Sequence, residues 1–136
     1  MPNLSGDART TAGVLLLTIL VIEYGGWFLL RLLRRGRPAT EFQKAFVRAG
    51  HAHAGVLVLL SLVGLLYVDA AHLAGLPAVV ARNGIWLAAI LMPAGFFLSA
   101  VGRGRMQPSR LVGVLYLGAL SLALGVGALG LGLLTA

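Results

Sequence analysis

Apolar positions along the chain fall into four runs, at about 12–33, 45–68, 78–101 and 110–134, separated by short polar stretches. One helix needs about 20 mainly apolar residues to cross the hydrocarbon core of a bilayer, so the pattern predicts four membrane spans. In lipid every backbone amide must find its partner inside its own segment, which makes these spans helices rather than open strands. The expected fold is therefore all-α, an integral membrane bundle of four transmembrane helices forming a single membrane domain over residues 1–136. The first run carries "EYGG" and leads into a basic cluster rather than a small-residue cleavage site, so it reads as a retained span and not a signal peptide.

Polar punctuation refines the second span. In "RPATEFQ", Thr40 is placed as an N-cap and Gln43 as its reciprocal partner three residues on, a capping box, with Pro38 holding the chain outside the helix. Glu41, Lys44 and Arg48 follow at spacings of three and four along one edge, and Phe46 and Val47 begin the apolar surface. In the third span, Pro93 within "LMPAGFF" predicts a kink that frees a backbone carbonyl.

Composition agrees with the pattern: 59% of the 136 residues are hydrophobic, 11% are charged, and mean hydropathy is +0.93. Nineteen glycines would be unusual in soluble helices but allow close approach of helices in lipid, and "GVGALGLG" in the last span reads either as a packing face or as generic filler. The net charge of +7 does not point to nucleic acid, because the basic residues bracket apolar runs instead of interleaving with aromatics on a soluble face. Nine of the eleven cations (Arg31, Arg34, Arg35, Arg37, Lys44, Arg48, Arg103, Arg105 and Arg110) flank the same ends of the spans. By the positive-inside rule that side is cytoplasmic, the membrane is the inner (plasma) membrane, both termini lie outside, and the "DAAHLAGLPAVVARNG" connection with Asp69, His72 and Arg82 is external.

The chemistry is concentrated in "FVRAGHAHAG". Two residues apart on a helix is about 200° of rotation, so His51 and His53 cannot both face one site. His51 shares a face with Lys44, Arg48 and Gly55; His53 shares one with Gly50, Leu57 and Leu60, which makes His53 the expected inward residue. Glu23 lies about 12 Å inside the basic edge of the first span, with Tyr24 beside it. Ser99 and Tyr116 fall at comparable depth, so all four helices are expected to contribute to one polar layer.

Ionisable groups inside a span are costly and mark function by default. The layer reads either as an internal network, Glu23 with an imidazole or with Arg48, or as a pocket for a cofactor or small hydrophobic substrate. With no cysteine and only three histidines, one of them on the opposite side, a zinc site is disfavoured. Heme needs as few as one axial imidazole and takes the rest of its binding from apolar contact.

The stretch "FVRAGHAHAGVLVLLSL" resembles the start of the second transmembrane helix in styrene oxide isomerase, a small four-helix membrane enzyme. "GFFLSA" resembles its third-helix segment, and "LYLGAL" with Tyr116 resembles part of its fourth. The resemblance implies heme b ligated by His53, the histidine of "HAG", at a subunit interface of a homo-oligomer, a trimer. Arg48 and His51 flank that ligand as further cofactor-binding candidates. It also implies Lewis-acid opening of a small hydrophobic epoxide to a carbonyl, for which Glu23, Tyr24 and Tyr116 are the candidate catalytic residues. Phe97 and Leu59 stand where that family has a tyrosine and an asparagine. The alternatives are a heme-binding protein without this chemistry and an accessory membrane subunit whose polar layer is structural.

Overall fold

A computed structural model describes residues 4–34 and 39–135. Four helices follow in chain order: α1 (Gly6–Arg34), α2 (Glu41–Ala70), α3 (Gly75–Ala100) and α4 (Val112–Thr135). All four are long and apolar enough to cross a membrane, which makes this an all-α, multi-pass membrane protein. At 1.5 Å per residue the 24 to 30 residues of these helices exceed a ~30 Å hydrocarbon core. Hydropathy marks only the hydrocarbon part, so α1 begins six residues before its apolar run. Its polar ends carry Asp7 in the first turn and Arg31 and Arg34 in the last, the signs that oppose the helix dipole.

The start of α2 is a capping box as its sequence requires. Thr40 Oγ1 accepts from the Gln43 amide at 3.2 Å, and Gln43 Oε1 accepts from the Thr40 amide at 3.2 Å. The same two side chains reach across the fold, because Gln43 Nε2 donates to the carbonyls of Ala100 at 2.9 Å and Gly102 at 2.6 Å, and Thr40 Oγ1 donates to the carbonyl of Arg105. The cap thus also ties α2 to the α3–α4 connection. Pro38, Arg35 and Arg37, to which the sequence assigned a boundary and an orientation, lie outside the described residues.

Packing is uneven along the order of the chain. The α3–α4 pair is the closest: a Cβ on Gly84 would come within 2.8 Å of Gly125 Cα, and one on Gly118 within 2.7 Å of the Met92 amide nitrogen. A Cβ on Gly95 would collide with the backbone of Leu115. Ser121 Oγ donates to the Gly84 carbonyl at 2.8 Å, a cross-helix bond that the missing side chain permits. Within "GVGALGLG", Gly125 faces α3 and Gly132 meets Leu73, whereas Gly127 and Gly130 have no neighbour within 4 Å of a Cβ. Half of that motif is packing face and half is outward surface. α3 continues as one helix through a buried Pro93.

α2 lies against α3, and α1 has close backbone approach to α2 alone. Leu15 of α1 joins Leu57, Val58 and Leu65 of α2 and Ala89 of α3 in one apolar cluster. At the end of the bundle away from the basic cluster, Asp69 accepts from Arg82 Nη2 at 2.6 Å and from the Ser5 amide at 2.9 Å, while Arg82 Nη1 donates to Ser5 Oγ at 3.3 Å. One ion pair therefore joins α1, α2 and α3. The connection expected to hold Asp69 and Arg82 is only 71–74, because Asp69 belongs to the last turn of α2 and Arg82 lies two turns inside α3. α2 closes in a Schellman arrangement, with Leu73 N–H on the Val68 carbonyl at 3.1 Å and His72 N–H on the Asp69 carbonyl at 3.2 Å. This places His72 at φ +51°, where glycine is the usual occupant.

Candidate functional site

The two histidines leave α2 on opposite flanks, as their 200° separation requires. His51 turns toward α1. Its ring lies so close to Gly26 that a Cβ there would come within 2.9 Å of Nε2 and 3.0 Å of Cε1. His53 turns toward the other flank, where its ring centroid is 4.9 Å from that of Phe96 and Phe96 is 5.4 Å from Phe46. His53 Nδ1 is 2.8 Å from the Ala49 carbonyl oxygen. A carbonyl can only accept, so Nδ1 carries the hydrogen, and in the neutral ring Nε2 is the nitrogen with the lone pair.

A cavity of about 550 Å³ opens on the His51 flank, between α1, α2 and the end of α3. His51 and Gly25 mark its inner end, Phe28, Leu29, Val47 and Phe97 form its walls, and Lys44, Arg48 and Arg103 stand at the basic end of the bundle. Among the described residues no acidic side chain lines it. The sequence reading expected the inward histidine to be His53; the cavity belongs to His51. The physical reason lies on the neighbouring helices. Gly25 and Gly26 withdraw side chains from α1 beside His51, whereas Phe46 and Phe96 occupy the space next to His53. The doubled glycine within the "EYGG" of a span is the signal that marked this flank.

The expected polar layer does not converge within one chain. Tyr24 is 65% exposed and Tyr116 66%, and Glu23 is exposed as well. Glu23 joins neither of the two ion pairs among the described residues. Tyr24 and Arg31 instead gather around Trp27, with ring centroids 5.7 Å apart and the Arg31 guanidinium carbon 5.3 Å from the Trp27 ring. Ser99 is fully buried and satisfied within its own helix, donating to the Gly95 carbonyl at 2.5 Å. With α1 resting on α2 and α4 on α3, Glu23, Tyr24 and Tyr116 lie on exposed faces of α1 and α4.

Arg48 lies at the cavity mouth, its Nε donating to the Lys44 carbonyl at 3.2 Å. Lys44 pairs with Glu41 at 2.9 Å. Of the residues standing at positions where the resembled family is polar, Phe97 lines the cavity and Leu59 is exposed on the outer face of α2. Among the described residues no three histidine, aspartate or glutamate side chains converge as a metal cluster. Gln43 and Arg103, which sequence reasoning left without a part in the site, line the cavity because the α3–α4 connection folds back over the start of α2. Comparison of the chain with protein-family models, curated proteins and solved structures found no match.

Proposed function

We propose that the protein binds heme b in the membrane through an imidazole of α2, and that His53 is the axial ligand. The observation that carries this reading is the Nδ1–H bond from His53 to the Ala49 carbonyl. Metal-bound histidines commonly donate their second nitrogen to a carbonyl or carboxylate, which fixes the tautomer and leaves the other nitrogen for the metal. The residues fit the group as a ligand. His53 lines none of the four principal cavities among the described residues, so the rest of a heme site on that flank would come from a second copy, in keeping with the oligomer, a trimer, that the sequence resemblance implies.

Bound heme, held by His53, would supply a Lewis-acidic iron. Around it, this chain's own residues orient and enclose: Phe46 and Phe96 exclude water from one side of the imidazole, and Ala49 holds the ring. Tyr24, Glu23 and Tyr116 face outward, and they act on a small epoxide only where a neighbouring copy brings them to the His53 flank. Orientation follows the positive-inside rule, with the basic end of the bundle cytoplasmic, both termini outside and the inner (plasma) membrane as the location.

The test is the absorption spectrum of detergent-purified protein expressed with heme precursor. The reading expects a Soret band that disappears in His53→Ala and survives in His51→Ala, followed by conversion of an aryl epoxide to an aldehyde. A flat spectrum from folded native protein would overturn it. The second reading, an accessory membrane subunit, is favoured by one observation: the three candidate catalytic side chains are all exposed on the single chain. A Soret band without epoxide turnover would leave heme binding in place and remove the isomerase chemistry.

A further inference from the structure

The cavity beside His51 is on the opposite flank of α2 from His53 and is not used by the heme reading. Its volume of about 550 Å³ falls within the ~300–1,000 Å³ of pockets that enclose one small ligand. Walls of Phe28, Leu29, Val47 and Phe97 offer nothing to a polar molecule along its length. Apart from the His51 ring at the inner end, the polarity lies at the other end, where Lys44 is paired with Glu41 but Arg48 and Arg103 join no ion pair, and no carboxylate lines the cavity, among the described residues. An apolar cavity ending in two guanidinium groups, of which, among the described residues, only Arg48 has a carboxylate, Glu41, near enough to feel its charge, is complementary to a chain with an anionic head. Guanidinium matches a carboxylate in a two-bond fork, which a neutral head cannot reproduce.

We propose that this cavity binds a single-chain amphiphile with a carboxylate head, its chain running between α1 and α3 toward His51 and its head held by Arg48 and Arg103. The room is made by sequence: Gly25 lines the inner end, and a Cβ built on it meets nothing within 4 Å. A larger residue at that position therefore enters the cavity without striking the backbone. Gly26 next to it admits the His51 ring and closes the inner wall.

Delipidated protein in a neutral detergent would be titrated with palmitate, with hexadecanol and with phosphatidylglycerol, and bound ligand read by native mass spectrometry. Palmitate is expected to bind one per chain and about tenfold or more tighter than hexadecanol, the value of one charge-assisted hydrogen bond. Arg48→Gln should erase most of that preference while hexadecanol binding stays unchanged, and Gly25→Leu should abolish binding of both. Equal affinity for the acid and the alcohol, tighter binding of phosphatidylglycerol than of palmitate, or palmitate binding that survives Gly25→Leu in a folded protein would each overturn the proposal. So would displacement of palmitate by hemin with a Soret band lost in Gly25→Leu, which would make the cavity the heme site.

Discussion

The α3–α4 seam and the α1–α2 contact are both helix pairs of the same bundle, and they are built on opposite principles. The seam is glycine against backbone, with Gly84 on Gly125, Gly95 on Leu115 and Gly118 on Met92, sealed by the Ser121 bond to Gly84. The α1 contact uses its glycines differently: Gly26 takes up a ring, Gly25 leaves space, and cavities of about 550 and 480 Å³ lie along α1. Lipid tails are as apolar as leucine, so helices in a membrane gain little from burial as such and associate through close packing and hydrogen bonds. The seam obtains both; α1 obtains a ring, one apolar cluster and the Asp69–Arg82–Ser5 tie. The rigid pair is the platform, and the loosely held helix is where ligands have room.

The largest expected effect comes from filling the seam. Gly95→Val should cost about 3 kcal/mol, the upper end of overpacking penalties, and lower the thermal midpoint sharply or prevent folding. Gly127→Val on the outward face of the same helix should change stability by less than about 0.5 kcal/mol. Equal losses at both positions would mean the outer face of α4 is itself packed in the assembled protein.

Next in size is the tie that holds α1. Asp69→Ala leaves the partly buried Arg82 guanidinium without its partner and the Ser5 amide without its acceptor, a loss of about 2 kcal/mol or more. Because the tie fixes α1 rather than the seam, protease susceptibility should rise in α1 before α3 or α4. Uniform exposure of all four helices would show that the two regions are not separable.

Relief of strain gives a smaller effect of opposite sign. His72 occupies a left-handed backbone position, so His72→Gly should raise stability by about 1 kcal/mol, measured as a higher thermal midpoint. A fall would mean the imidazole makes a contact worth more than the strain. Among changes at packed positions the smallest effect belongs to Gly26→Ala, below about 1 kcal/mol, because the added methyl meets only the movable end of the His51 side chain. Its consequence is displacement of that ring, read as a shifted imidazole resonance with the seam unperturbed.

Four helices were legible in the sequence because a bilayer enforces length and composition so strictly that the pattern allows no other reading. The capping box was legible too, since Thr40 and Gln43 are local to each other. What was not legible is which flank of α2 holds the cavity. His51 and His53 have nearly the same surroundings in sequence, and the choice is made by Gly25 and Gly26 on α1 and by Phe46 and Phe96 on the other side. Direction was not legible: Glu23, Tyr24, Ser99 and Tyr116 are polar residues of apolar runs alike, yet Ser99 is buried and the other three are exposed. Direction depends on which helices touch, and the uneven packing of α1 and α4 is a property of the assembled bundle.

Whether α2 presents two separate sites is tested most directly by one paired titration. Native protein, His53→Ala and Arg48→Gln would each be titrated with hemin, read by the Soret band, and with palmitate, read by native mass spectrometry. The predicted result is crossed: His53→Ala loses hemin and keeps palmitate, and Arg48→Gln keeps hemin and loses the preference for palmitate over its alcohol. Loss of both ligands with the same variant would contradict it and reduce the two flanks to one site.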